Sequence, residues 1–165
     1  TLSTITPIAD KNRHRLITVV DPSLPPVAGD EGRLVQVLTN LLDNAIKYTP
    51  AGGTITIGGK LASSVGNAEP PARAIEISVA DTGIGIPEED RPRVFERFYR
   101  VDKARSRELG GTGLGLAIVK HIVEGHGGQV WVEANYPQGS RFVVRLPLSA
   151  AARGGLHHMN EASRA

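Results

Sequence analysis

Two segments of helical period, each followed by a pair of short β-rich runs, leave few folds open to this chain. Thr54-Ile55-Thr56-Ile57 alternates as a half-buried strand, and so does Ile75-Glu76-Ile77-Ser78-Val79. Val130-Trp131-Val132 and Phe142-Val143-Val144-Arg145-Leu146 make the second pair. A further run, Leu16-Ile17-Thr18-Val19-Val20, is stopped by Asp21-Pro22 and Pro25-Pro26. The order is strand, helix, strand, strand, helix, strand, strand. Such an order predicts an α+β fold rather than a doubly wound one. It is a two-layer α/β sandwich, with a mixed, mostly antiparallel sheet of about five strands covered on one face by about three helices. At 165 residues the chain can close one domain around a real core, and it shows no internal repeat.

The first helical segment carries polar chemistry on one side. Asp30 offers an N-cap, and Leu34, Leu38, Leu41 and Ala45 trace an apolar stripe that ends before Pro50 and Gly52-Gly53. Asn40, Asn44 and Lys47 fall at i, i+4 and i+7 on a second face, away from that stripe. An amide oxygen is a hard, neutral ligand suited to Mg²⁺, which keeps several waters and borrows phosphate oxygens. Asn44 can supply that oxygen, Asn40 can orient a coordinated water, and Lys47 can meet a phosphate as a point charge. A solvated polar face is the plainer alternative for this helix taken alone.

Asp81-Thr-Gly83-Ile-Gly85-Ile86 follows an apolar strand. A carboxylate there can accept from an exocyclic amine such as that of adenine, and the glycines permit close backbone approach or positive φ. A simple turn Asp is equally common at strand ends. Gly111-Thr112-Gly113-Leu114-Gly115-Leu116 runs straight into the second helix, which carries Leu114, Ile118 and Ile122 on one face. Backbone N–H groups at such a helix start can hold phosphates. Rival glycine motifs fail on spacing: the third glycine comes one residue early for a dinucleotide fingerprint, and Gly59-Lys60 lacks both flanks of a P-loop.

Between these blocks lies Phe95-Glu96-Arg97-Phe98-Tyr99-Arg100. The two Phe residues, three apart, are expected on one side of a helical turn, in the core or offered to a partner. Arg97 and Arg100 can swing towards a transferring phosphoryl group. The segment 101–111 is charged and aperiodic and reads as a mobile loop, 63–72 as a hairpin loop, and 150–165 as a disordered tail. His14, His121, His126, His157 and His158 have no metal-ligand spacing and are read as structural or incidental.

Composition removes several function classes. With 4% aromatic residues and a net charge of +2 spread among interleaved acids, the chain lacks the stacking platform and basic stripe of a nucleic-acid surface. Zero cysteines exclude disulfides, thiolate zinc sites and a Cys nucleophile, and fit a reducing compartment. No apolar run approaches the ~20 residues of a membrane helix, and there is no signal peptide. The abrupt start at Thr1-Leu2-Ser3 reads as a piece cut from a larger protein.

In this order the blocks closely resemble the catalytic ATP-binding domain of bacterial sensor histidine kinases, within the ATPase fold shared with DNA gyrase and heat-shock chaperones. The resemblance runs from about Leu16 to Leu148: Asn40–Thr49 as the N box, Asp81–Ile86 and Gly111–Leu116 as the two glycine boxes, and Phe95–Arg100 as the F box. Phe95–Arg100, Val101-Asp102-Lys103 and Gly113–Gly128 look most like phosphate-regulon-type kinases. The resemblance implies that Asn44 ligates Mg²⁺, that Asp81 reads adenine, and that Lys47 and Arg100 contact phosphates. It further implies that Tyr48 flanks the nucleotide and that 101–111 is an ATP lid. ATPase branches of the fold carry a Glu four residues before the metal-binding Asn; here Asn40 stands there, so transfer to an acceptor is favoured over hydrolysis.

The acceptor motif His-Glu-Leu-Arg-Thr-Pro is absent from the sequence. The resemblance therefore implies residues 1–149 as the catalytic domain, with 1–14 the end of a linker from a dimerisation and histidine-phosphotransfer domain. The partners implied are that domain and a response regulator. The isolated domain is expected to be monomeric and cytoplasmic, and the parent a homodimer at the inner or plasma membrane. A nucleotide-driven clamp, a non-catalytic binding module and a serine-directed kinase are the competing classes.

Overall fold

Five strands form one sheet in the order β1-β2-β3-β5-β4. They are β1 (Arg15–Val20), β2 (Thr54–Ser63), β3 (Arg73–Asp81), β4 (Gln129–Ala134) and β5 (Ser140–Pro147). Among the described residues three α-helices accompany them: α1 (Leu2–Lys11), α2 (Glu31–Tyr48) and α3 (Gly115–Gly125). The computed structural model describes residues 2–63, 73–102 and 111–148. The expected hairpin loop at 64–72, most of the expected lid at 103–110 and the expected tail at 150–165, with His157 and His158, lie outside the described residues. β1 and β2 are parallel because α2 crosses over between them, whereas the β2–β3, β3–β5 and β4–β5 pairs are antiparallel. The expected α+β sandwich is the observed architecture.

Alternation along the strands assigns the two faces. Ile55, Ile57, Val79, Phe142, Val144 and Leu146 point to the helices and form the core with α2 and α3. The opposite face is polar: Glu76 is buried against Arg145 at 2.9 Å, with Lys60 at 3.2 Å and Arg141 at 3.7 Å. Burial works to raise the Glu76 carboxyl, but the hydrogen bonds and charges of Arg145 and Lys60 hold it below the usual range.

α2 begins as its sequence dictates: the Asp30 side chain accepts from Arg33 N at 3.0 Å. His126 secures the same cap from the far end of α3. One ring nitrogen, Nε2, accepts the Asp30 N–H at 3.1 Å while Nδ1 lies 2.7 Å from the Ile122 carbonyl. A structural role for His126 is thus explicit. His14 is buried, its Nε2 lying 2.8 Å from the Thr49 carbonyl at the end of α2.

Three expectations need correction. The buried face of α2 is Val37, Leu41, Leu42, Ala45 and Ile46; Leu34 and Leu38 are only half-buried. Asn40, Asn44 and Lys47 are therefore not on a remote face but half-buried beside the core. On α3, Val119, Ile122 and Val123 are buried, whereas Ile118 is 36% exposed, because one side of this helix meets the sheet and another meets a cleft. Finally α1 has no counterpart in the predicted element order. Pro7 lies inside it, and Ala9 is fully buried in the core.

Replacing Leu41 by Ala should lower the unfolding free energy by about 2–5 kcal/mol, since the fully buried side chain leaves a cavity between α2 and the sheet. Asp30→Ala should cost about 1 kcal/mol through the lost cap. Urea unfolding with unchanged m-values is the measurement that checks both.

Candidate functional site

Where the α2–α3 layer parts from the end of β3, a cleft of about 380 Å³ opens, a size suited to a small ligand. α2 contributes Asn40, Asp43, Asn44, Lys47 and Tyr48. The turn after β3 contributes Ile84, Gly85 and Ile86, and the segment before the undescribed residues contributes Tyr99, Arg100, Val101 and Asp102. Gly111–Leu116 and Ile118 close one side, with Ser140 and Phe142 of β5 at the base. Four sequence blocks separated in the chain thus meet in one cavity.

Asp81 closes β3 and is 4% exposed. Its Oδ1 accepts from Gly83 N at 2.8 Å and from Ser140 N at 3.2 Å, while Oδ2 takes no hydrogen bond from the described residues. Burial pushes the carboxyl above the ordinary value of 3.8, opposed by those two backbone donors. Gly83 is required here: a Cβ would overlap the Tyr48 carbonyl and lie 2.8 Å from Asp81 Oδ1. Gly83 itself does not line the cleft; it orients the carboxylate that does.

On α2, the Asn44 amide makes no hydrogen bond with the described residues, although it is half-buried in the cleft wall. Asn40 Nδ2 donates to the Gly115 carbonyl at 3.3 Å, tying α2 to the first turn of α3 and leaving Oδ1 as its other polar atom. Lys47 Nζ is held by Asp43 Oδ2 at 2.6 Å. Tyr48 lines the cleft, and its carbonyl accepts from Ile84 N at 3.2 Å. Among the described residues there is no group of three or more His, Cys, Asp or Glu arranged to hold a metal. A cation in this cleft would take Asn44 and draw its other ligands from water and from oxygens of the ligand, the habit of Mg²⁺.

Arg100 donates to the Gly111 carbonyl, and Phe98 N to the Gly113 carbonyl at 2.8 Å. Gly113 has φ +73, and a Cβ there would come within 2.9 Å of Phe98 Cα, so only glycine allows this approach. Residues 91–98 form turns rather than a helical face. Phe95 is therefore buried edge-on to Phe142 at 6.2 Å between centroids, while Phe98, at φ +64, is turned out and 70% exposed. Arg97 is likewise exposed and lies outside the cleft.

Every expected site residue except Arg97 and Gly83 thus lines the cavity. The sequence reading passed over Asp43, Tyr99 and Ser140. Asp43 shares the helical spacing of its neighbours and was legible in principle. Ser140 reaches the site only through the β3–β5 register, for which no local signal exists.

Comparison with known proteins places the chain. Residues 29–150 match the histidine kinase-, DNA gyrase B- and HSP90-like ATPases. The chain belongs to this family. The sensor-like histidine kinase SenX3 of Mycolicibacterium smegmatis is 46% identical over 140 residues, covering 85% of this chain and 34% of SenX3. The chain therefore spans about a third of that relative's length. The mycobacterial sensor histidine kinase MprB superposes with a TM-score of 0.68 at 32% identity, covering 88% of this chain and 91% of that one. Full-length ShkA in complex with AMPPNP superposes at 0.71 with 33% identity, over 90% of this chain and 28% of that one. The chain is a histidine-kinase-type, ATP-binding ATPase domain, consistent with the phosphate-regulon type. Among the described residues no helix is long and apolar enough to cross a membrane.

Because the folded Asp81 carboxyl binds its proton more tightly than the unfolded one, stability falls as pH rises from 3.8 through the raised folded value. Above that value the ionised group is a net cost to the ligand-free fold. Asp81→Asn should flatten this part of the pH–stability curve and leave the protein at least as stable at neutral pH. Unfolding curves of both proteins across the acidic to neutral range test the sign.

Proposed function

We propose that the cleft binds Mg-ATP and that the domain transfers the γ-phosphoryl group to a histidine on a separate dimerisation and phosphotransfer domain, in two-component signalling. The observation that carries this reading is the pairing, across one cavity, of two groups that take no hydrogen bond from the described residues: Asp81 Oδ2 and the Asn44 amide. A buried carboxylate oxygen that takes no hydrogen bond from the described residues is suited to the exocyclic amine of adenine. Asn44 would hold Mg²⁺, which when bound neutralises and orients the phosphate oxygens.

The chain's own groups divide the remaining work. Asp81 selects and anchors the base. Lys47 exchanges its partner Asp43 for a phosphate, and Arg100 and the N–H groups at the start of α3 cover the rest of the triphosphate. Asn40, where a hydrolytic ATPase of this fold would carry a basic Glu, is neutral and bonded to Gly115. It can orient a water but is too weak a base to activate one, so the phosphoryl group passes to an external imidazole. The acceptor nitrogen bonds to the γ-phosphorus as the bond to the ADP oxygen breaks.

Within a parent kinase we assign the partners as the dimerising histidine domain and a downstream response regulator. The parent is a homodimer at the membrane, the catalytic domain on its cytoplasmic side. Relatives named sensor histidine kinases support this assignment.

Incubating the domain with γ-labelled ATP, Mg²⁺ and a histidine-bearing helical domain should yield acid-labile, base-stable label on the acceptor. Loss of the charge-assisted contact in Asp81→Asn should weaken ATP binding about 10- to 100-fold. Asn44→Asp should abolish transfer. Phosphate release without acceptor labelling would instead identify an ATP-driven clamp.

A further inference from the structure

One of the two donors that orient the Asp81 carboxylate comes from a segment outside every sequence block assigned to the site. The β3–β5 ladder ends at Ala80↔Arg141, so the main chain of Asp81 passes beyond the last paired residue of β5. The turn between β4 and β5 takes over at this point. Asn135 Nδ2 donates to the Asp81 carbonyl at 2.8 Å, across 54 positions of sequence. Asn135 N also donates to the Gly139 carbonyl at 3.0 Å, so one residue both closes the turn and ties it to β3.

The turn can sit this close only because residue 139 has no side chain: a Cβ on Gly139 would overlap the Asp81 carbonyl, and its φ of +114 belongs to glycine. The next residue, Ser140, then presents its N–H to Asp81 Oδ1 at 3.2 Å. With Gly83 N on the same oxygen, two donors set the plane of the carboxylate, and Oδ2 takes no hydrogen bond from the described residues.

We propose that Asn135 is a positioning residue for base recognition: by holding the β4–β5 turn against Asp81 it keeps the Ser140 donor in place and so fixes the orientation in which the carboxylate meets an exocyclic amine. This rests on the reading of Asp81 as the base-selecting group. Asn135 touches no ligand itself. Its loss should therefore affect the part of affinity that depends on the amine, and leave the phosphate and Mg²⁺ contacts of α2 and α3 intact.

The test compares ATP with inosine triphosphate, which lacks the amine and is otherwise close in shape, both with Mg²⁺, by calorimetry or fluorescence titration. Asn135→Asp preserves size but removes the donor, and Asn135→Ser keeps a shorter one as a second variant should the first fold poorly. For Asn135→Asp, the Kd for ATP should rise about fivefold, the effect of one hydrogen bond, with the Kd for inosine triphosphate unchanged. Asn135→Ser should recover part of the discrimination. Equal weakening of both nucleotides, or no change in either, overturns the positioning role while leaving ATP binding standing. If the wild-type protein binds both nucleotides equally, the assignment of Asp81 to the base fails first.

Discussion

A single buried carboxylate organises this structure. Placing Asp81 almost out of solvent at the end of a central strand carries a desolvation penalty that the chain offsets only in part. Two backbone N–H groups, from residues 2 and 59 positions away, converge on Oδ1, and nothing described answers Oδ2. Close packing around the group is correspondingly strict: Gly83 lies against the Tyr48 carbonyl and Gly139 against the Asp81 carbonyl. A polar group left short of partners at the wall of a cleft is a reserve of binding free energy. A ligand that supplies the missing donor recovers it, which links the cost to the ligand-free fold directly to selectivity.

α2 lets one helix serve core and cleft together. Its 18 residues bury Val37, Leu41, Leu42, Ala45 and Ile46, and the 3.6-residue period brings Asn40, Asn44 and Lys47 to the adjoining rim rather than to open solvent. Half-burial suits them: the amides stay near enough to the core to be held, yet open to the cavity. The Asp43–Lys47 pair is exposed on the carboxylate side and contributes little to stability, so its lysine can change partners at small cost.

How much of this was legible beforehand follows from the range of the interactions involved. Strand alternation, the Asp30 cap and the i, i+4, i+7 amide face are local, and the structure contains each of them. The glycine blocks announced tight backbone approach without saying to what. Gly83 against Tyr48, and Gly113 against Phe98, are contacts across long stretches of chain that no local pattern encodes. The same holds for Ser140 and Asn135, which enter through register and turn closure. The Phe95–Phe98 reading failed for a different reason: a helical turn was assumed, but the left-handed backbone at Phe98 separates two rings that a helix would have put together. α1 was hidden by Pro7, and its anchor Ala9 is too small to mark a pattern.

Two ties beside the cleft hold the described chain at Phe98–Arg100 to that at Gly111–Gly113. Arg100 is bonded to the Gly111 carbonyl and Phe98 to Gly113, so the chain leaves and re-enters at one fixed base. Arg100 and Gly111 both line the cleft, and Gly115 beyond them is joined to Asn40 on α2. A triphosphate that drew Arg100 from its carbonyl partner would therefore loosen one tie of the base while the Phe98–Gly113 tie remained. The exposed Phe98 ring, set on that remaining tie, would keep its place.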